Sequence, residues 1–237
     1  AQGQPEALAR RALLAAWGVE QPRDIDAALD DLLRAACCGW TAAQRQLQLL
    51  ARSVTSDWQA LRDAIEVQAL TRAPALRVIS HHPPVAVADR FATAAECEWL
   101  IELGRPTLRR AQVYHGSATP QAAESRTNSE TGFTIGNADV FLSLLRDRMA
   151  SATSVATNRF EVTKLLHYTV GQQFALHSDF LASHTQDLRK EIERRGQRAI
   201  TLLVFLNDDY EGGATEFPRI GLRFRGKQGD ALIFRNI

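Results

Sequence analysis

The sequence predicts an α+β protein: an all-α N-terminal region followed by a domain of helices and antiparallel strands. Three observations carry this. Residues 1–75 repeat apolar positions at helical spacing, and Pro83 and Pro84 then forbid a helix. From residue 91 two helical patterns give way to short apolar runs separated by turn residues. Helices followed by many short strands indicate an antiparallel sandwich or barrel.

Taken in order, "RDIDAALDDLLRAACCG" sets Ile25, Ala28, Leu29, Leu32, Leu33 and Ala36 on one helical face, with Gly39 as a C-terminal stop. "TAAQRQLQLLARSV" repeats the period through Ala43, Leu47, Leu50 and Val54. "SDWQALRDAIEVQAL" does so through Trp58, Leu61 and Ile65, behind a Ser56/Asp57 cap. A domain boundary falls near 72–82, dividing the chain into 1–75 and 76–237. His81 and His82 stand beside the prolines as a solvated loop pair. "TAAECEWLIELGRP" reads as a helix with Thr93 as N-cap and Glu96 closing a capping box, and "NADVFLSLLRDRMASAT" as another. The strand-like runs are "EVTKLLHYTV", "QQFALHSDF", "AITLLVFLN", "GLRFRG" and "DALIFRN". "HTQDLRKEIERRGQR" is either a helical lid or a solvated surface helix.

Composition narrows the function classes. The 237 residues have a formal net charge of +1, with 45% hydrophobic and 23% charged residues. That is a globular composition with no electrostatic footprint for nucleic acid. No apolar run approaches the roughly 20 residues of a membrane span, and "AQGQPEALARR" lacks the basic-then-apolar pattern of a signal peptide. Cys37, Cys38 and Cys97 have no C-x-x-C spacing, so reduced thiols and a cytoplasmic location are expected.

The chemistry concentrates in "YTVGQQFALHSDF" (168–180). His177 and Asp179 stand two positions apart, which on a strand puts both on one face, roughly 7 Å apart and able to converge on one ion. A neutral nitrogen with an anionic oxygen suits a borderline divalent metal. A second histidine would complete a facial triad that leaves coordination positions open. Alone, the spacing equally suits a surface dipeptide or a hydrogen-bonded core histidine.

Four stretches follow one another in order: "SRTNSETGF" (125–133), "LLHYTVGQQFALHSDFL" (165–181), "GQRAITLLVFLNDDYEGGATEFP" (196–218) and "GLRFRGKQGDALIF" (221–234). Together they resemble the catalytic domain of the prolyl 4-hydroxylases, Fe(II)- and 2-oxoglutarate-dependent dioxygenases, over about residues 78–237. The resemblance implies a double-stranded β-helix (jelly roll) with flanking helices. It implies His177 and Asp179 as iron ligands, Tyr168 and Thr201 at the 2-oxoglutarate site, and Arg126 and Arg198 near the substrate groove. It also implies Fe(II), 2-oxoglutarate as cosubstrate, ascorbate as a reductant, and a protein or peptide substrate hydroxylated with release of succinate and CO2. The family's second histidine ligand and its cosubstrate lysine fall after the "GDALIF" strand, so both are expected beyond Ile237. His184 lies too close to Asp179 to replace the histidine, and Lys227 does not match the lysine.

"AACCGWTAAQRQL" (35–47) resembles the Sel-like helical repeats, relatives of tetratricopeptide repeats. This implies a partner-binding array; the alternative is a helical cap on the next domain. Three readings of the whole stay open: a prolyl hydroxylase, the same chemistry on another residue or a small molecule, and an interaction protein with an inactive dioxygenase fold.

Overall fold

A computed structural model describes residues 5–112, 124–181, 183 and 185–236. Its helices are α1 (Pro5–Trp17), α2 (Ile25–Cys37), α3 (Thr41–Ala51), α4 (Trp58–Ala64), α5 (Val67–Thr71), α6 (Ala94–Gly104), α7 (Val140–Thr153) and α8 (Gln186–Arg195). Its strands are β1 (Arg77–His81), β2 (Pro84–Ala88), β3 (Arg109–Arg110), β4 (Ser129–Gly132), β5 (Lys164–His167), β6 (Ile200–Val204), β7 (Thr215–Phe217), β8 (Leu222–Phe224) and β9 (Ala231–Arg235). The mixture of helices and antiparallel sheets is the one expected. Two compact units share these elements, one up to Ala73 together with Phe133–Glu161, the other Pro74–Gly132 with Val162 onward.

The helical unit forms because its apolar positions recur at helical spacing and are small where helices meet. Ala12, Ala16, Ala28, Leu29, Leu32, Ala35, Ala36 and Leu47 are almost fully buried. The alanines allow close approach, while each buried leucine contributes about 1.5–3 kcal/mol. Asp24 and Asp57 cap α2 and α4 by accepting from Ala27 and Ala60. Gly39, at φ 84°, turns the chain between α2 and α3.

A cut at residue 75 misses one feature. Helix α7 lies far along the chain yet packs with α1, α3 and α5. Val140, Phe141, Leu142, Leu144 and Leu145 are all buried, so α7 needs apolar cover on more than one side. Arg148 Nε donates to the Leu70 carbonyl at 2.7 Å, and Ser143 Oγ to that of Ala16 at 2.6 Å. Neither bond has a signal in the local sequence.

The second unit is built on a four-stranded antiparallel sheet in the order β1-β2-β9-β6, with a three-stranded sheet β3-β4-β5 and the hairpin β7-β8. Val85, Val87 and Leu232 centre its apolar cluster, with Ile79, Leu203, Phe205, Phe217, Leu222, Phe224 and Phe234 packed around them. Helix α6 starts with the capping box read from the sequence, Thr93 and Glu96 each bonding the other's backbone N–H. The turn before β9 is held by buried Asp230, which accepts from the backbone N–H groups of Arg90 and Lys227. Helix α8 buries none of its side chains and is a solvated surface helix.

The run "QQFALHSDF" departs from the expected strand. Strand β5 ends at His167, and a turn at 169–172 follows with Gly171 at φ 81°. In the rest of that run the only ladder-like contact among the described residues is a single bridge between Phe174 and Arg126. A strand needs a ladder partner along its length, and residues 176–181 have none among those described.

Candidate metal centre

His177 and Asp179 meet without a strand to hold them. The imidazole lies parallel to the Phe174 ring, centroids 3.5 Å apart and planes 12° apart. Its Nδ1 is 2.8 Å from the Ala175 carbonyl, a pure acceptor, so this nitrogen carries a proton. Nε2 faces Asp179 Oδ1 at 3.0 Å. Were Nε2 unprotonated, a lone pair would face a carboxylate oxygen, and the pair would need a cation between them.

The protonation balance reflects this geometry. The hydrogen bond to Asp179 raises the His177 pKa above the ordinary value, against partial burial, with help from the Ala175 carbonyl. Burial alone would raise the Asp179 carboxyl. Hydrogen bonds from His177 and Thr201 and the nearby charges of His177 and Arg198 outweigh it and hold the carboxyl low.

The second carboxylate oxygen is fixed from the sheet. Thr201, Leu203 and Phe205 share one face of the β6 line. Leu203 and Phe205 enter the apolar cluster, while Thr201 Oγ1 donates to Asp179 Oδ2 at 2.6 Å. Asn236 Nδ2, just past β9, donates to Thr201 Oγ1 and to the Arg198 carbonyl, each at 3.0 Å. Asp179 therefore has one oxygen anchored and the other aimed at Nε2.

This donor set fits a divalent metal. Two ligands at right angles, each about 2.1 Å from one ion, lie about 3.0 Å apart. That is the spacing of Nε2 and Oδ1. The backbone acceptor on Nδ1 is the outer partner that a metal-bound histidine requires, leaving Nε2 for the metal. Among the described residues no three His, Cys, Asp or Glu side chains cluster as a complete ligand set. His115 and His184 lie outside the described residues.

The other sequence-derived candidates divide. Thr201 reaches the pair, its hydroxyl engaged by Asp179. The exposed side chain of Arg198 acts on Asp179 through its charge. Tyr168, 43% exposed, lies in the fields of Arg126 and Glu130, with its phenol pKa raised by burial. The Arg126 guanidinium is committed elsewhere, donating from Nε to Asn128 Oδ1 at 3.1 Å and from a terminal nitrogen to Glu130 Oε2 at 2.6 Å. Phe174 and Asn236 were not singled out from the sequence. Phe174 could have been, since it sits three residues before His177 in the glycine-turn segment. Asn236 has no local signal, because its role depends on β6 pairing with β9.

Residues 163–237 match the family model described as the 2OG-Fe(II) oxygenase superfamily. Residues 163–237 are thus similar to 2OG-Fe(II) oxygenases, and the chain over about two thirds of its length is similar to prolyl 4-hydroxylases. It is 31% identical over 179 residues to probable prolyl 4-hydroxylase 8 of Arabidopsis thaliana, covering 67% of this chain and 60% of that protein. It is 29% identical over 182 residues to prolyl 4-hydroxylase 5 of the same plant, covering 68% and 60% respectively. Probable prolyl 4-hydroxylase 10 is 28% identical over 179 residues, 67% of this chain and 60% of that protein. The chain thus spans about 60% of the length of these relatives.

Proposed function

We propose that the protein is an Fe(II)- and 2-oxoglutarate-dependent hydroxylase acting on prolyl residues of a protein or peptide. The observation that carries this is the 3.0 Å approach of His177 Nε2 to Asp179 Oδ1, with Nδ1 already bonded to a carbonyl, inside the matched segment. His177 and Asp179 would supply two of the iron ligands. Bound Fe(II) with 2-oxoglutarate supplies oxygen activation coupled to decarboxylation of the cosubstrate to succinate and CO2.

The chain's own residues hold and aim the ligands. Asn236 orients the Thr201 hydroxyl, which anchors Asp179 Oδ2 and leaves Oδ1 as a single-oxygen ligand. The Ala175 carbonyl keeps the proton on Nδ1. Tyr168 and Thr201 border the cosubstrate, and Arg198 faces the substrate side. Ascorbate serves as reductant, and the location is cytoplasmic. The antiparallel sheets belong to a jelly roll, and the α2–α3 hairpin to a Sel-like array that binds a partner.

The test adds Fe(II) and then 2-oxoglutarate, without oxygen, to the full natural polypeptide. A visible charge-transfer band that disappears in His177→Ala is expected, followed by succinate release stimulated by proline-rich peptides. A band with no peptide stimulation would move the substrate to a small molecule. No band in well-folded protein would leave a dioxygenase-fold interaction protein.

A further inference from the structure

The family resemblance puts Arg126 near the substrate groove, but its surroundings suggest a different task. Its side chain is only 12% exposed and that of its partner Glu130 only 15%. Glu130 is held in turn by Lys164 Nζ on Oε1 at 2.9 Å, so the guanidinium and carboxylate form part of a three-residue ion network. The centre of the guanidinium lies 4.7 Å from the centroid of the Phe174 ring. That ring carries the His177 imidazole at 3.5 Å.

The backbone makes the same connection. Thr127 N–H donates to the Gln173 carbonyl at 2.9 Å, and Ala175 N–H to the Ser125 carbonyl at 2.7 Å. Gln173 N–H donates to Thr127 Oγ1 at 2.9 Å. Residues 125–127 are therefore stitched to 173–175, immediately before His177. The Ala175 carbonyl that fixes Nδ1 belongs to this stitched segment.

We propose that Arg126 is a positioning residue for His177, acting through Phe174 to hold the imidazole plane at the metal centre. A guanidinium over an aromatic face adds about 0.5–1 kcal/mol at exposed sites and about 2 when desolvated. With no ladder beside residues 176–181 among those described, the Phe174 face is the main lateral constraint on the imidazole. Glu130 and Lys164 fix the guanidinium, the guanidinium fixes the phenyl ring, and the ring fixes the imidazole. The inference rests on the metal-centre reading for its purpose, but not for its geometry.

The test reads the geometry first, in the metal-free full polypeptide. Stacking on Phe174 shifts the His177 ring protons upfield in NMR, and Phe174→Leu supplies the unstacked reference. Arg126→Gln, and separately Glu130→Gln, are expected to move those signals most of the way to that reference. Mn(II) affinity, measured by competition with a chromophoric chelator, is expected to fall about tenfold in both variants. Folded variants with unmoved ring signals would overturn the proposal. So would unchanged ring signals and Mn(II) affinity with a raised KM for peptide, which would return Arg126 to direct substrate contact. Absence of Mn(II) binding in the unsubstituted protein would refute the metal-centre reading, while the ring signals would still decide the positioning role.

Discussion

Replacing Thr201 with valine tests the tertiary part of the site. Valine keeps the β-branched shape that suits β6 but cannot donate to Asp179 Oδ2, a bond of 2.6 Å. A hydrogen bond to a charged group is worth about 1.5–3 kcal/mol. The Asp179 side chain is 26% exposed, so water partly replaces the lost donor and the low end, about 1.5 kcal/mol, applies. Folding stability should fall by about that amount. Mn(II) or Fe(II) affinity should fall about tenfold through lost ligand orientation, the low end of the 10–100-fold range of such outer partners. Asn236 keeps the Arg198 carbonyl as acceptor, which limits the structural damage. The assay is chelator competition on the full natural polypeptide, with Thr201→Ser as the variant that restores the donor. Unchanged affinity in folded Thr201→Val, or no recovery in Thr201→Ser, would refute the argument.

Three further outcomes are expected. His177 has a raised pKa through its bond to Asp179, so its stabilising contribution is complete below the ordinary histidine value of about 6.5 and disappears as pH rises through the raised one. Asp179 is held low, so its contribution is present above about pH 3.9 and disappears as pH falls through the depressed value. The metal-free pair therefore stabilises most between about pH 4 and 6.5, whereas metal affinity should climb with pH and release a proton from Nε2; a flat affinity from about pH 5.5 to 8 would contradict this. Gly229→Ala would force a side chain to φ 86° with its Cβ driven into the Ala92 carbonyl oxygen, beside the β9 turn. A loss of about 2–4 kcal/mol in chemical denaturation is expected, and a loss under about 1 would show that the turn relaxes freely. Thr93→Ala removes one arm of the α6 capping box and should cost about 1 kcal/mol by the same measurement, with Thr93→Ser close to wild type.

The elements with local causes were legible in the sequence. The helical period of Ile25–Cys37, the Thr93/Glu96 box, the strand character of Ile200–Val204 and Ala231–Arg235, and the break at Pro83–Pro84 each depend on neighbours within a few residues. The pair His177/Asp179 was legible for the same reason, as two donor types at short spacing. The geometry that makes the pair a candidate centre was not. His177 is steered by an aromatic ring and a carbonyl rather than by a strand, and Asp179 by a threonine 22 residues away and an asparagine beyond it. Which partners meet depends on β6 pairing with β9 and on residues 125–127 bonding to 173–175, contacts set by register across the chain. Helix α7 makes the same point for packing. Its sequence specifies an apolar helix, but only the buried faces of α1, α3 and α5 decide that it joins them, because apolar burial is non-directional and takes whichever complementary surface the fold presents.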